Sequence, residues 1–151
     1  MALVCCFFGH RNIFADIEPA LSREVERLIT DEGVDTFYFG GYGDFDWMAS
    51  GVLKEMKEKY PHIDISLILA YMPGKKDEYD DIPKHYDTLF PEGLEEGPRR
   101  FAISKRNKWI VENSDYIIAY VRSGYGGAYD ALKLAARRKK VIINLADSDK
   151  Q

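Results

Sequence analysis

The stretch Tyr116 to Asp130, Y-I-I-A-Y-V-R-S-G-Y-G-G-A-Y-D, sets the strongest limit on the fold. Tyr116 to Val121 is an apolar and aromatic run, too short for a helix and bounded by turn residues, which predicts a buried strand. A loop with glycines at 124, 126 and 127 follows, and then Ala128, Ala131, Leu132 and Ala135 recur at helical spacing. Strand, glycine-rich turn and helix start are the parts of a phosphate cradle. Free N–H groups and the positive end of the helix dipole converge there, and glycine lets an anion approach. The same turn also suits a chain that needs glycine only for its backbone angles. Its spacing, G-x-G-G from Gly124, is not the dinucleotide fingerprint G-x-G-x-x-G.

The rest of the chain repeats this strand-then-helix pattern. Ala2 to Phe8 is a continuous apolar run, as a central strand covered on both faces requires. It breaks at Gly9-His10-Arg11. Asp16 is the expected N-cap of a first helix with Pro19 in its first turn, and Leu21, Val25, Leu28 and Ile29 mark its buried face up to Gly33. Thr36 to Phe39 reads as a second strand, followed by Gly40-Gly41-Tyr42-Gly43. Asp44 is the expected cap of a second helix to about Lys59 that buries Met48, Val52 and Met56. Ile63 to Ala70 is the third strand. The pattern lapses over about 71–97, with Pro73, Pro83, Pro91 and nearby Pro98, many charges and no period. A connection this long predicts either a partly ordered flap or a disordered insert. Arg99 to Asn113 resumes as a helix, with Ile103, Arg106, Asn107 and Ile110 on one stripe. An arginine on an apolar stripe needs a polar or anionic partner. The cluster Arg99, Arg100, Lys105, Arg106 and Lys108 otherwise reads as a solvated face. Val141 to Leu145 is the last strand, and Arg137 to Lys140 complement the dipole at the preceding helix end.

These elements predict one α/β domain over residues 1–151: a Rossmann-like three-layer sandwich on a five-stranded parallel sheet of order 3-2-1-4-5. The chain's 151 residues suffice for a single core, and 46% hydrophobic with 30% charged residues is a soluble, globular balance. A formal net charge of −4 argues against nucleic acid as a partner, because sequence-independent binding needs a basic surface. No apolar run reaches membrane-spanning length, and Met1 to Phe8 lacks the h-region of a signal peptide. Cys5 and Cys6, adjacent in a strand, point to opposite faces, which predicts reduced core residues of a cytoplasmic protein. No metal-ligand spacing is present, and no cofactor is called for.

In an open parallel sheet, ligands bind beyond the carboxyl ends of the strands where strand order reverses. Three glycine-containing loops converge on that edge: Gly9-His10-Arg11, Gly40 to Gly43, and Arg122 to Gly127. Phe8, Tyr42, Phe45, Tyr125 and Tyr129 surround it, either to stack on a base or as ordinary core and rim packing.

The residues of these loops carry a resemblance. Cys5 to Arg11, C-C-F-F-G-H-R, resembles the C-F-T-G-H-R opening of the YpsA-type branch of the SLOG superfamily. Arg106 to Asp115, R-N-K-W-I-V-E-N-S-D, is similar to its R-N-x-x-M-V-x-x-S-D segment. Gly126 to Ala135 resembles its G-G-T-x-x-x-x-x-Y-A turn and helix. The resemblance implies a Rossmann-like SLOG fold, related to the Rossmann-like domain of DNA processing protein A, that binds nucleotides or nucleotide-derived ligands. Also related are the cytokinin-activating LOG phosphoribohydrolases, with an arginine eight residues before an S-D pair and P-G-G-x-G-T-x-x-E after the next strand. Arg106 precedes Ser114 by eight residues, and Gly124 to Asp130 falls on G-x-G-T-x-x-E. Glutamate has become Asp130, threonine Gly127, the Pro-Gly pair Arg122-Ser123, and the lysine after the arginine Asn107.

Two function classes follow, and a third, a pure interaction protein, ranks last because it leaves the glycine loops unexplained. In a binding or sensing module, Gly40, Gly41, Gly43, Ser123, Gly124, Gly126 and Gly127 surround a ligand phosphate. Gly9, His10, Arg11, Arg106 and Asn107 complete the site, with charge from the two arginines. Asp44 or Asp46 takes ribose hydroxyls, unless each only caps its helix. In an N-glycosidase acting on a nucleoside monophosphate, Asp130 stabilises the oxocarbenium-like transition state and Arg106 orients the phosphate. His10 is a candidate acid or base there, against the plainer reading of a hydrogen-bonded structural residue. The binding module is preferred, with a small-molecule nucleotide as partner and homo-oligomerisation left open.

Overall fold

A computed structural model describes residues 2–13, 16–41, 43–70, 86–91 and 101–150. The elements are β1 (Val4–Gly9), α1 (Glu18–Asp31), β2 (Thr36–Phe39), α2 (Asp44–Lys59), β3 (Asp64–Ile68), β4 (Asp87–Leu89), α3 (Ala102–Glu112), β5 (Tyr116–Tyr120), α4 (Gly127–Arg137) and β6 (Val141–Asn144). Six strands form one sheet in the order β4-β3-β2-β1-β5-β6, with every neighbouring pair parallel. The expected order is therefore present, and the expected strand count is corrected from five to six. The addition is β4, whose three residues are all exposed and extend the sheet at the β3 edge. Residues 71–85 and 92–97 of the anticipated flap, and Tyr42, lie outside the described residues.

The strands form where apolar runs let both faces be covered. Alternation along β1 sends Cys5 and Phe7 into a cluster with Leu21, Val25, Phe45, Val52 and Leu53 of α1 and α2. The other face of the strand sends Cys6 and Phe8 into a cluster with Ile110, Val111, Ala131 and Ala135 of α3 and α4. Both cysteines are free and fully buried, one on each side of the sheet. Burial pushes the Cys6 thiol up from 9.0 to about 12, with the Asp46 carboxylate adding to the rise. Cys5 is raised well above its ordinary value for the same first reason.

Two helix starts differ from expectation. The N-cap of α1 is Ile17 rather than Asp16, with Pro19 in the first turn. The N-cap of α2 is Gly43 rather than Asp44. Gly43 has φ +95°, and a Cβ there would lie 2.7 Å from the Arg11 Cα, so only glycine fits. Asp44 instead binds the loop after β1: its N–H donates to the Arg11 carbonyl at 2.7 Å, and its Oδ2 accepts from the Ile13 N–H at 3.1 Å. This clasp fixes Gly9 to Ile13 against the start of α2. Gly9 is the close-packing point, since a Cβ there would fall 2.3 Å from the Phe45 ring.

Candidate functional site

The carboxyl ends of β1, β2 and β5 lead into the three glycine-containing loops, and Arg106 of α3 reaches across beneath them. Its burial follows from the helical stripe: α3 buries Ala102, Arg106, Ile110 and Val111. Arg106 is only 5% exposed. Nη1 donates to the Gly40 carbonyl at 3.0 Å, and Nε and Nη2 donate to Asn107 Oδ1 at 3.3 and 3.1 Å. A Cβ on Gly40 would sit 2.9 Å from the guanidinium carbon. Glycine at 40 is therefore what lets the arginine lie flat against the β2 exit.

This guanidinium borders a cavity of about 270 Å³. Gly9, His10 and Arg11 line it from β1, Gly40 from β2, and Gly126, Gly127 and Ala128 from the start of α4. Asp46, buried in the first turn of α2, lines it too, as do Asn107 and the Tyr125 side of the glycine loop. Gly126 is the N-cap of α4 at φ +103°, and no described side chain caps that helix. The Asp130 N–H makes the first helical bond, to the Gly126 carbonyl at 2.9 Å, so the N–H groups before it have no helical acceptor. Donors without a partner among the described residues and the dipole's positive end thus border the same cavity as a buried guanidinium. An anion of phosphate size matches that combination.

The remaining anticipated residues fall outside this cavity. Gly41, at φ +69°, is needed for packing, because a Cβ there would lie 2.8 Å from Leu67 Cδ1. Gly43 and Asp44 belong to the clasp described above. Ser123 donates to the Tyr125 carbonyl at 2.9 Å and so shapes the loop internally. A Cβ on Gly124 meets nothing within 4 Å. Asp130 is exposed and borders a different, larger depression between α3 and α4. Of the aromatics, Phe8 and the 80% exposed Tyr125 border the cavity, whereas Phe45 is fully buried in the core. Tyr129 packs against the α3–α4 cluster with Lys133 over its ring.

Two positioning groups hold the third loop. His10 Nε2 accepts from the Arg122 N–H at 2.8 Å, which leaves the proton of a neutral ring on Nδ1. The ring lies edge-on to Tyr120 at 5.8 Å. The side chain of Asn144, at the end of β6, continues the sheet ladder beyond its last backbone pair. Its Oδ1 accepts from the N–H groups of Val121 and Ala146, both at 3.1 Å, and its Nδ2 donates to the Val121 carbonyl at 3.0 Å. Sequence reasoning passed over Asn144, although a lone amide ending an apolar strand was its signal. Among the described residues, no group of three or more His, Cys, Asp or Glu is placed to hold a metal ion. No helix among them is long and apolar enough to cross a membrane.

No family model matches the chain. It is 26% identical to a UPF0398 protein of Brevibacillus brevis over 140 residues, which is 87% of this chain and 74% of that one. A UPF0398 protein of Halalkalibacterium halodurans is 24% identical over 142 residues, 87% of this chain and 73% of that one. Among solved structures, DNA processing protein A of Streptococcus pneumoniae superposes with a TM-score of 0.64 at 15% identity, over 93% of this chain. The chain spans about half of that protein, 49%. The Helicobacter pylori protein of the same name, described for its single-stranded DNA binding mode, gives 0.64 at 14% identity, with 93% and 63% covered. The Moco carrier protein of Chlamydomonas reinhardtii gives 0.54 at 17% identity, with 97% and 77% covered.

The expectation against a nucleic-acid partner is corrected here, because a protein of this fold binds single-stranded DNA. The physical reason is that a net charge of −4 averages over the chain, while Lys105, Lys108, Arg137 and Arg138 gather along α3 and α4. By sequence the chain is similar to the UPF0398, YpsA-like proteins, and by fold it is a Rossmann-like α/β protein similar to DNA processing protein A.

Proposed function

We propose that the protein binds a nucleotide or nucleotide-derived ligand, with a phosphate held between the α4 N-terminus and Arg106. The observation that carries this reading is the shared cavity: Arg106, fixed on the Gly40 carbonyl, faces the same space as the uncapped Gly126-Gly127-Ala128 start. Buried guanidinium groups favour planar, bidentate recognition of phosphate. The volume of about 270 Å³ is near the lower end of the roughly 300–1,000 Å³ of small-molecule sites and suits one phosphorylated unit. Asp46 is the carboxylate that borders the cavity and the candidate for ribose hydroxyls. Tyr125 supplies an exposed ring at the rim for a base. The names of the structural neighbours support ligand binding at this level, one with single-stranded DNA and one as a Moco carrier. The N-glycosidase reading places its carboxylate at Asp130, which borders the adjoining depression rather than Arg106's cavity, and this weighs against that assignment.

Calorimetry with a panel of nucleoside 5′-monophosphates and inorganic phosphate tests the reading. At least one nucleotide binds, Arg106→Met weakens it about 10- to 100-fold, and chromatography recovers it intact. Failure of every panel member to bind would overturn the proposal.

A further inference from the structure

The Arg106 cavity continues past Gly127. Ile103, Asn107 and Gly127 border both it and a groove of about 740 Å³ between α3 and α4. That groove is apolar at Ala131 and Leu134 and cationic at four positions, Lys105, Lys108, Arg137 and Arg138, with Asp130 the one carboxylate in its lining. Lys108 and Arg138 both approach Glu112, at 3.9 and 3.6 Å, so one acid steadies two of the cations across the helix pair. Arg137 is exposed and makes no ion pair among the described residues. Dipole complementation accounts for Arg137 at the last turn of α4. It does not account for Lys105 and Lys108, because α3 has no basic residue in its last turn. Four cations against one carboxylate give the groove lining a positive balance, which favours a bound polyanion.

We propose that the groove takes a second phosphate-bearing unit of the ligand. This rests on the nucleotide reading of the adjoining cavity. The preferred ligand then has two phosphorylated units: the first phosphate at α4 and Arg106, the second beside Lys105 and Arg137. The shared chemistry has two sources, a pyrophosphate-linked dinucleotide or the phosphodiester of a short single strand.

Four probes test it by calorimetry: adenosine 5′-monophosphate, adenosine 5′-diphosphate, diadenosine diphosphate, and a 5′-phosphorylated deoxyadenosine dinucleotide. A two-unit probe binds about tenfold more tightly than the monophosphate, and the slope of log affinity against log salt steepens by about 0.7 for each added phosphate. Whichever two-unit probe gains more identifies the source. In Lys105→Gln/Arg137→Gln the gain disappears while monophosphate affinity stays within about twofold. Arg137→Gln alone, at an exposed position, removes part of it. Thermal melting confirms folding of both variants. Monophosphate binding with no gain for either two-unit probe, or a gain that survives the double variant, refutes the groove alone. Binding by none of the probes refutes the nucleotide reading and the groove with it.

Discussion

Gly40→Ala tests whether the fixed position of Arg106 matters, rather than its mere presence. The added methyl carbon would lie 2.9, 3.0 and 3.1 Å from Cζ, Nη2 and Nη1 of Arg106, all closer than ordinary van der Waals contact. Arg106 is 5% exposed, and its guanidinium holds the Gly40 carbonyl at 3.0 Å. It therefore moves toward the cavity and gives up that bond, or the β2 exit moves instead. Overpacking of a filled site costs about 1–3 kcal/mol of stability, which a shift in Tm records. In binding, one misplaced charge-assisted contact of about 1.5–3 kcal/mol is about 10- to 100-fold in affinity. Calorimetry against the best monophosphate reads this directly. The cycle with Arg106→Met isolates the cause: in that background Gly40→Ala produces no further loss, because the group it displaces is gone. Wild-type affinity in Gly40→Ala would refute the claim that the arginine acts through its fixed geometry. Equal losses in both backgrounds would assign the effect to the loop instead.

Asn144→Leu keeps side-chain volume but removes partners from the Val121 N–H and C=O and the Ala146 N–H. At about 1 kcal/mol for each bond, urea denaturation should show a loss of about 3 kcal/mol, and calorimetry a weaker nucleotide affinity. The two thiols set an alkaline limit. Both are raised in the fold, Cys6 from 9.0 to about 12, so their contribution is complete below about pH 9 and is lost as pH rises toward 12. Cys5→Ala/Cys6→Ala should lose stability above pH 9 less steeply than wild type, by up to about 1.4 kcal/mol per pH unit for each thiol. Parallel urea-denaturation profiles between pH 8 and 10.5 would contradict this.

Strand order was legible because Ala2 to Phe8 and Tyr116 to Val121 are unbroken apolar runs, which only a sheet covered on both faces accommodates. β4 was not legible: its three exposed residues stand in a proline-bearing, charged segment where tertiary pairing, not pattern, makes the strand. The burial of Arg106 could be read from its place between Ile103 and Ile110. Its acceptor could not, because Gly40 is 66 residues away in sequence. The misplaced cap of α2 has a local cause. An aspartate near a helix start has the right chemistry for capping, but the positive φ at Gly43 and the pull of the Arg11 carbonyl assign the turn differently. Nothing in the glycine count separated Gly126, required by its backbone angle, from Gly124, which has open space around it. Net charge misled because it carries no positional information.

The sheet divides the interior into a larger apolar cluster under α1 and α2 and a smaller one under α3 and α4. The two halves should therefore differ in how readily they open locally. Amide protons of α3 and α4 should exchange with solvent through partial openings that leave the α1–α2 side intact. Because α3 carries Arg106 and α4 begins at the Gly126–Ala128 rim of the same cavity, a ligand spanning both would tie down the looser half. It would slow exchange there while leaving the tighter half unchanged, so occupancy would be recorded as a change in local rigidity without movement of the strands.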